Sequence, residues 1–474
     1  MTDIDLNDVI PMLKRAGSTQ LELYERTGTI TKSLDDLHAD VRAAVAVLRR
    51  RGLPPRARVA IWGATSYEWL VIDLACLANG YLTVPLDPEG TWDRDRLAET
   101  FALDLIVTDR ADAVGSAFAS FDTICGGPPE GGELDAARFG EDEPFTVIFT
   151  SGTGGEPKAI EVRKRCFDDQ FSNALRMFEI TGNDRMLVFL PMHIYLERCY
   201  VYLAILRGFS VVVASPRFLV KALKNAGFTF TVGVPHFFYN LQDMFLLSLK
   251  TNRKLRARYR TRRWLDRFGV RFRTPFSPFA AMLGNRARFF LTGSAPCRLP
   301  TLRFFRAMGI PLYEGYGMSE IAGMVALNYP GHAKLGTVGK VFPNKEVKLD
   351  EGGQILVRGP NAANTGYWRA SAEASAATFL PDGWVATGDV GHFDRDGYLT
   401  IDGRIKDVIV LSNGRKVQPG PIETRINAIQ SVARLSSHEA ARRSATANRS
   451  AVSPGRLKPR LTLSSAVLAR YPTF

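Results

Sequence analysis

The sequence has few cysteines, and their number and spacing are typical neither of a disulfide-bonded protein nor of a zinc site. The five cysteines are an odd, scattered set without a C-x-x-C pair: Cys76, Cys125, Cys166, Cys199 and Cys297. This pattern argues against a disulfide framework and against a zinc site, and it indicates a reducing compartment. The acidic start at residues 1–5 lacks the basic and apolar regions of a secretory signal peptide. We therefore expect a cytoplasmic protein.

Long hydrophobic runs are also missing. The most apolar stretch, residues 199–214, is interrupted by Arg207 and is shorter than the roughly 20 residues that span a bilayer. The apolar fraction of 46% is typical of a globular enzyme, and 474 residues exceed what one hydrophobic core usually fills. We expect two or more domains and no membrane-spanning helix.

Negative charge is scarce in one segment of a chain whose net charge is +13. Residues 250–288 contain thirteen Lys or Arg and one acid, Asp266. The aromatic residues among them are Tyr259, Trp264, Phe268, Phe272, Phe276 and Phe279. Such a segment could lie on an anionic membrane, bind nucleic acid, attract a polyphosphate, or be a solvated helix face. No nucleic-acid recognition pattern accompanies it, so we expect no nucleic-acid partner and keep peripheral membrane contact as a hypothesis.

Short apolar runs alternate with segments of helical spacing along much of the chain. Residues 67–77 repeat their large apolar side chains with a helical period, and residues 336–393 shorten into strands and turns. The apolar runs that indicate strands are 59–63, 83–86, 105–108, 210–214 and 289–292. This alternation predicts an α/β fold in which a parallel sheet is covered on both faces.

A loop rich in glycine and hydroxyl residues follows the apolar run 145–149. Backbone N–H groups and hydroxyls in such a loop can enclose phosphate oxygens, while a lysine supplies positive charge. The loop is not a P-loop, because Lys158 precedes Ala159, and it is not a dinucleotide fingerprint, because Pro157 replaces the third glycine. Taken alone, it could also be a surface turn. The candidate phosphate-binding residues are Thr150, Ser151, Gly152, Thr153, Gly154 and Lys158.

Four further motifs follow this loop, at residues 292–296, 313–320, 387–389 and 403–407. Their residues read TGSAP, YEGYGMSE, TGD and GRIKD. The five motifs and their order resemble the AMP-forming adenylating superfamily, which includes acyl-CoA synthetases, luciferases and peptide-synthetase adenylation domains. The resemblance covers roughly residues 20–430.

The resemblance implies two domains. Residues 1–402 would form a large N-terminal AMP-binding domain, built of αβα-layered subdomains and a small β-barrel-like subdomain. Residues 403–474 would form a shortened α+β C-terminal lid. Lys406 occupies the hinge position, about which the lid is expected to turn between adenylation and thioester formation.

An acyl adenylate forms from two negative reactants, so its site must neutralise charge, hold a divalent cation and fix the nucleoside. By resemblance, the loop wraps the β- and γ-phosphates, although Gly154 replaces a usual hydroxyl residue and Ala159 a usual glycine. Glu320 would be the Mg²⁺ ligand, since Mg²⁺ prefers oxygen donors. Ser319 would contact the α-phosphate. The expected cofactor is Mg²⁺, with ATP and CoA as co-substrates.

The resemblance also implies how the nucleoside is held. Tyr316, followed by Gly317, would stack on adenine, and the residues on the other side of the base would be Gly293, Ser294 and Ala295. The Asp389 carboxylate suits two vicinal ribose hydroxyls, because an ionised carboxylate is a strong acceptor. Arg404 would join Asp389 at the ribose.

The acyl side is indicated by residues 189–198, where His193 is followed by Glu197 and Arg198. Long-chain synthetases carry a similar L-P-x-x-H run with an E-R pair, and here the histidine comes one residue early. His193 would orient the substrate carboxylate or gate the acyl tunnel; the alternative is a core histidine with satisfied hydrogen bonds. The E-R pair and residues 232–235 and 309–315 favour fatty acids over amino acids.

The lid is shorter than the resemblance requires. Residues 436–450 are small, polar and basic, and cannot bury a core of their own. Residues 453–460 are similar to the terminal element that carries the adenylation lysine, so Lys458 is the candidate catalytic lysine. The alternative is a basic tail that never reaches the site.

The sequence therefore predicts an ATP-dependent fatty acid–CoA ligase, with long-chain substrates favoured, that forms acyl-AMP and pyrophosphate and then acyl-CoA. One alternative is a fatty acyl-AMP ligase that delivers its adenylate to an acyl carrier protein. The other is a nucleotide-binding pseudoenzyme with a degenerate lid.

Overall fold

The structure is a computed structural model, and it describes most of the chain. The described residues are 4–15, 19–25, 28–90, 92–111, 115–128, 134–150, 158–272, 274–359, 366–407, 409–410 and 416–417.

The strands are numbered in chain order. They are β1 (Gln20–Glu25), β2 (Gly28–Ser33), β3 (Arg58–Trp62), β4 (Leu82–Leu86), β5 (Leu105–Thr108), β6 (Phe118–Ser120), β7 (Pro144–Thr150), β8 (Lys158–Arg163), β9 (Arg185–Val188), β10 (Ser210–Ala214), β11 (Phe230–Gly233), β12 (Phe289–Thr292), β13 (Leu312–Met318), β14 (Gly323–Leu327), β15 (Lys340–Val341), β16 (Glu346–Leu349), β17 (Gln354–Arg358), β18 (Val385–Phe393), β19 (Leu399–Arg404), β20 (Ile409–Val410) and β21 (Lys416–Val417).

The α-helices lie between these strands. They are α1 (Val9–Met12), α2 (Leu34–Arg50), α3 (Tyr67–Ala78), α4 (Arg94–Thr100), α5 (Phe121–Cys125), α6 (Lys164–Met177), α7 (Tyr195–Arg207), α8 (Leu219–Asn225), α9 (Pro235–Thr251), α10 (Arg253–Arg267), α11 (Ser277–Met282), α12 (Leu299–Met308) and α13 (Ala372–Ala376).

The first large sheet has six strands in the order β6-β5-β3-β4-β7-β8. Its strands are parallel except for β7 and β8, which form an antiparallel hairpin. Every residue of β4 and β5 is buried, as expected for strands covered on both faces. The helix after β3 begins where the Ser66 hydroxyl accepts a hydrogen bond from the Trp69 backbone N–H at 3.2 Å.

The second large sheet has nine strands in the order β15-β14-β13-β12-β11-β9-β10-β1-β2. Its central strands β13, β12, β11, β9, β10 and β1 are parallel, and antiparallel strands close both edges. The two sheets with their helices form the predicted α/β architecture, so the fold class is confirmed.

The strand-and-turn region becomes a small antiparallel sheet of four strands, β16-β17-β18-β19. Val338 and Leu399 connect it to the preceding segment through a backbone hydrogen bond of 2.8 Å. Beyond β19, a short 3-10 turn at Ile405–Asp407 contains Lys406, and β20 pairs with β21. The rest of the predicted lid, including Lys458, lies outside the described residues.

A buried ionic cluster joins helices and strands that belong to the two large sheets. Arg198 on α7 and Asp73 on α3 are 2.8 Å apart, and both side chains are 0% exposed. The Arg198 guanidinium also donates to the Thr146 hydroxyl of β7 at 2.6 Å, and the Tyr202 hydroxyl donates to the second Asp73 oxygen. Thr146 in turn donates to the Thr83 carbonyl of β4 at 2.9 Å. We call these five residues the Arg198 cluster.

Among the described residues, none of the helices combines the length and the apolar character needed to cross a bilayer.

We expect Asp73→Ala to lower the free energy of unfolding by about 3–5 kcal/mol, because it leaves the buried Arg198 charge without its partner. Urea denaturation measures the change. The matched control is Glu346→Ala, which removes a surface ion pair with Arg358 and should cost at most about 1 kcal/mol. Equal losses in the two variants would contradict a special role for the Arg198 cluster.

Candidate active site

The predicted phosphate loop leaves the six-stranded sheet at the tip of the β7–β8 hairpin. Thr150 ends β7 and pairs with Lys158 at the start of β8, and the Thr150 hydroxyl donates to the Lys158 carbonyl at 3.4 Å. The chain after the loop therefore returns as a strand, whereas a P-loop leads into a helix. The other predicted loop residues, Ser151, Gly152, Thr153 and Gly154, lie outside the described residues.

The predicted metal ligand belongs to the nine-stranded sheet. Strand β13 ends at Met318, and Ser319 and Glu320 form a short 3-10 turn directly after it. The Tyr367 hydroxyl donates to a Glu320 carboxylate oxygen at 3.0 Å, and the Lys158 ammonium lies 4.4 Å from the centre of the Tyr367 ring. Tyr367 thus joins a residue of each large sheet, and we call Lys158, Tyr367 and Glu320 the phosphate-side cluster.

The phosphate-side cluster suits Mg²⁺ that is held largely by substrate. Within the described part of the chain, no group of three His, Cys, Asp or Glu side chains could hold a metal alone. A single carboxylate is the arrangement expected where phosphate oxygens and water complete the octahedral shell. Glu320 is half-buried and already oriented by Tyr367, so its donor chemistry fits the ion.

Tyr367 is a member of this cluster that no sequence motif predicts. Its neighbour Trp368 donates a backbone hydrogen bond of 2.7 Å to the Ala159 carbonyl of β8, which brings Tyr367 to the hairpin. No charge pattern marks this tyrosine; the only sequence signal is the Gly366-Tyr367-Trp368 run between two strand-forming regions.

Three predicted nucleoside-binding residues are in direct contact. The Tyr316 hydroxyl donates to one Asp389 carboxylate oxygen at 2.7 Å, and Arg404 lies 3.0 Å from the other. Asp389 is 6% exposed, whereas Arg404 reaches solvent. Burial, together with the Asp389 charge, raises the pKa of Tyr316 above its ordinary value, so the phenol keeps the proton that it donates. We call these residues the ribose-side cluster.

The register of the nine-stranded sheet brings the two base-binding segments side by side. Strands β12 and β13 are parallel with Thr292 opposite Glu314, so residues 293–295 leave the end of β12 beside residues 315–317, which continue β13. A Cβ on Gly317 would lie 2.4 Å from the Gly323 carbonyl oxygen, which explains the glycine. Ser294 has a left-handed φ of 66° and is exposed, as is Ala295, while Gly293 is half-buried. The Thr292 hydroxyl beside them is buried without a hydrogen-bond partner.

His193 lies in the turn before α7, and its Nδ1 is buried without a hydrogen-bond partner. Burial is the main cause that lowers the pKa of this imidazole; Asp87 opposes the shift, Arg198 adds to it, and Glu89 opposes it. The ring is therefore neutral at neutral pH. An unpaired buried nitrogen argues against the alternative of a satisfied core histidine.

The adjacent E-R pair divides into two roles. Arg198 bonds to Asp73 rather than to Glu197, and the Glu197 side chain is buried with Oε2 unpaired. Burial raises the pKa of the Glu197 carboxyl to about 8, so it is mostly protonated at neutral pH. Helix α7 and the turn before it therefore bring a neutral acid and a neutral imidazole close in sequence to an arginine that is paired with Asp73.

Two of the remaining predicted residues lie in turns next to these clusters. Ser319 is half-buried in the turn after β13, and Lys406 is exposed in the 3-10 turn after β19. Lys458 lies outside the described residues.

Comparisons with known proteins identify the family of this chain. A family profile described as AMP-binding enzyme matches residues 17–368, which is more than half of the chain. The chain belongs to the AMP-binding enzyme family. The resemblance seen in the motifs is thereby confirmed, and so is the predicted class of AMP-forming acid–thiol ligase.

Curated relatives of this AMP-binding enzyme include acid–CoA ligases. The chain is 32% identical over 434 residues to the long-chain-fatty-acid–CoA ligase FadD15 of Mycobacterium bovis, an alignment that covers 82% of this chain and 72% of the relative. It is 29% identical over 452 residues to the indoleacetate–CoA ligase of Aromatoleum aromaticum, covering 88% and 81%.

Solved structures share the fold. The o-succinylbenzoate coenzyme A synthetase MenE of Bacillus subtilis, in complex with ATP and magnesium ion, aligns with a TM-score of 0.72 at 21% identity, over 91% of this chain and 86% of that one. At this identity the likeness shows the shared architecture alone.

We expect Glu197→Gln to weaken the pH dependence of stability. The acid has a raised pKa in the folded state, so the unfolded chain loses its proton first and stability falls as pH rises from about 4.5 towards 8. Urea denaturation at about pH 5 and pH 8 should show a smaller loss for Glu197→Gln than for the wild type. The control Glu351→Gln, at an exposed position, should follow the wild type. An identical loss in all three proteins would contradict the buried neutral acid.

Proposed function

We propose that this AMP-binding enzyme is an ATP-dependent fatty acid–CoA ligase with long-chain substrates. The observation that carries the proposal is the meeting of Lys158, Tyr367 and Glu320, because it unites a cation, an oriented hydroxyl and a carboxylate where the phosphate loop begins and ends. The similarity to FadD15 supports the fatty-acid class.

In the first half-reaction, a carboxylate oxygen of the acid attacks the α-phosphorus of ATP, and the bond to the bridging oxygen breaks to release pyrophosphate. The Lys158 ammonium and the loop residues 151–154 would offset the phosphate charge. Glu320 would hold Mg²⁺ together with the phosphates, and the ion supplies charge neutralisation to the departing pyrophosphate. Ser319 would donate to the α-phosphate.

The ribose-side cluster would fix the nucleoside during this step. Asp389 has two carboxylate oxygens held by Tyr316 and Arg404, so the carboxylate is oriented before the ribose arrives. Preorganisation of this kind lowers the entropy cost of placing the α-phosphate for in-line attack. Tyr316 and residues 293–295 would cover the two faces of adenine.

The acyl side would be less polar. His193 is neutral, so it could accept a hydrogen bond from the substrate acid or donate one to it without adding charge. The neutral Glu197 likewise adds no charge to α7. The indoleacetate–CoA ligase relative leaves an aromatic acid as the competing substrate class, which a substrate panel would distinguish.

In the second half-reaction, the CoA thiol would attack the acyl carbonyl of acyl-AMP, lose its proton and expel AMP. We propose residues 1–402 as the AMP-binding domain and residues 403–474 as the lid, with Lys406 as the hinge and Lys458 as the cation that serves adenylation. If the lid does not function, the chain is a nucleotide-binding pseudoenzyme. If CoA is not the acceptor, the adenylate passes to a carrier protein.

Glu320→Gln should impair chemistry more than nucleotide binding, because it keeps the shape of the side chain and removes the charge that holds the cation. We expect pyrophosphate release with a long-chain fatty acid to fall at least about tenfold at limiting Mg²⁺, and Tyr367→Phe to raise the Mg²⁺ concentration required.

The control for this pair is Glu346→Gln on the exposed β16, which should leave both the rate and the Mg²⁺ requirement unchanged. Equal rates for the wild type and Glu320→Gln at limiting Mg²⁺ would refute the metal assignment. No pyrophosphate release with any fatty acid would remove the proposed activity.

Lys458→Ala should reduce adenylation by roughly two to three orders of magnitude, the scale of one lost charge contact in a transition state. Acyl-AMP supplied to the variant should still react with CoA, because that half-reaction uses the other lid orientation. Lys458 is the only lysine after Lys416, so no neighbouring lysine can replace it. If the wild type and the variant release pyrophosphate at the same negligible rate, the pseudoenzyme is the correct alternative.

A further inference from the structure

Helix α10 carries an unusual combination of a fixed inner face and an exposed aromatic outer face. On the inner side, Tyr259 packs against Phe245 and Phe304 at centroid distances of 5.9 and 6.3 Å. Arg262 donates to the Ala307 and Thr274 carbonyls, each at 2.6 Å. These contacts hold the helix firmly on α9 and α12.

The single acidic residue of the basic segment already has hydrogen-bond partners. Asp266 is buried and accepts two hydrogen bonds from Arg306, both at 3.0 Å. Residues 250–272 contain ten Lys or Arg and no other acid. The positive charge on the outer side of α10 is therefore not balanced within its own segment.

The outer face of α10 presents Arg253, Arg260, Trp264 and Arg267, whose spacing of 7, 4 and 3 residues places them on one side of the helix, and Phe268 caps the helix next to them. We call these residues the α10 outer face. Trp264 is 60% exposed and Phe268 is 68% exposed, although the centroids of their rings are only 4.8 Å apart. A large exposed aromatic pair on a soundly packed helix indicates a surface that meets a partner.

We propose that the α10 outer face docks on an anionic lipid bilayer, with Trp264 and Phe268 at headgroup depth and the arginines against lipid phosphates. Aromatic rings flanked by arginines match the layered polarity of a bilayer surface. The inference stands without the ligase activity.

The positive charge of the α10 outer face disfavours two occupants that the protein itself could supply, its C-terminal residues and a second copy of the same face. Residues 418–474 contain nine Lys or Arg and two Glu, so they repel this face. A second copy of the same face carries the same charge and is also disfavoured. Anionic phosphates offer the complementary sign at high density.

Vesicle flotation of the full-length protein tests the proposal. Vesicles of phosphatidylcholine are compared with vesicles in which roughly a third of the lipid is phosphatidylglycerol, at about 0.1 M and 1 M salt. We expect binding to the anionic vesicles to be at least about tenfold tighter, and to weaken strongly at high salt because exposed charges are screened.

Two variants of the α10 outer face separate its charge from its aromatic rings. Arg260→Glu with Arg267→Glu, and Trp264→Ser with Phe268→Ser, should each reduce vesicle binding about tenfold or more. The matched control is Phe393→Ser with Arg395→Glu, which changes exposed residues near the β18–β19 turn and should bind as the wild type does. Unchanged thermal unfolding midpoints verify that the variants are folded.

Equal binding to the two kinds of vesicle would overturn the proposal, as would an equal loss in the control. Tighter, salt-dependent binding to an RNA or DNA oligonucleotide than to the anionic vesicles would assign the surface to nucleic acid instead. Selective binding to an acidic carrier protein, with no vesicle binding, would also contradict the lipid assignment.

Discussion

The buried Arg198–Asp73 ion pair is the constraint on which the rest of the molecule depends. A charge pair with no solvent contact needs hydrogen-bond partners, and Tyr202 and Thr146 supply them, while Thr146 is itself held by the Thr83 carbonyl. Because the cluster links α7 and α3 with β7, it sets the position of the phosphate-loop hairpin relative to the nine-stranded sheet. The candidate site depends on that position.

Two tyrosine hydroxyls connect the separate parts of the candidate site. Tyr367 connects the hairpin residue Lys158 to Glu320 after β13, and Tyr316 on β13 connects to Asp389 on β18. Each hydroxyl donates to a carboxylate and leaves that carboxylate a second oxygen for other partners. Under the proposed function, this arrangement would let side chains from three sheets hold one nucleotide, because the acids proposed to bind the metal and the ribose are each oriented from a different structural layer.

Local sequence patterns predicted strands and helices well, but they did not predict contacts between residues far apart in the sequence. The run 145–149 is β7, residues 67–77 are nearly all of α3, and the Asp389–Arg404 contact agrees with the motifs that the family shares. Asp73 and Arg198 are 125 residues apart, and no spacing rule connects them. The basic segment was expected to be either a partner surface or a solvated face; it is anchored through Asp266 and Arg262 on one side and exposes Trp264 on the other. The role of residues 418–474 as part of the lid stays a prediction.

The central claim is that residues before Lys406 form an ATP·Mg²⁺ site where the three sheets meet. Calorimetric titration of the full chain with ATP·Mg²⁺ tests it most directly, using Asp389→Ala and, as control, Asp402→Ala, whose carboxylate bonds to the exposed His392. We predict micromolar-to-millimolar affinity that falls at least about tenfold, roughly 1.4 kcal/mol, in Asp389→Ala and stays unchanged in Asp402→Ala. No ATP binding by the wild type, or equal affinity in Asp389→Ala, would contradict the account.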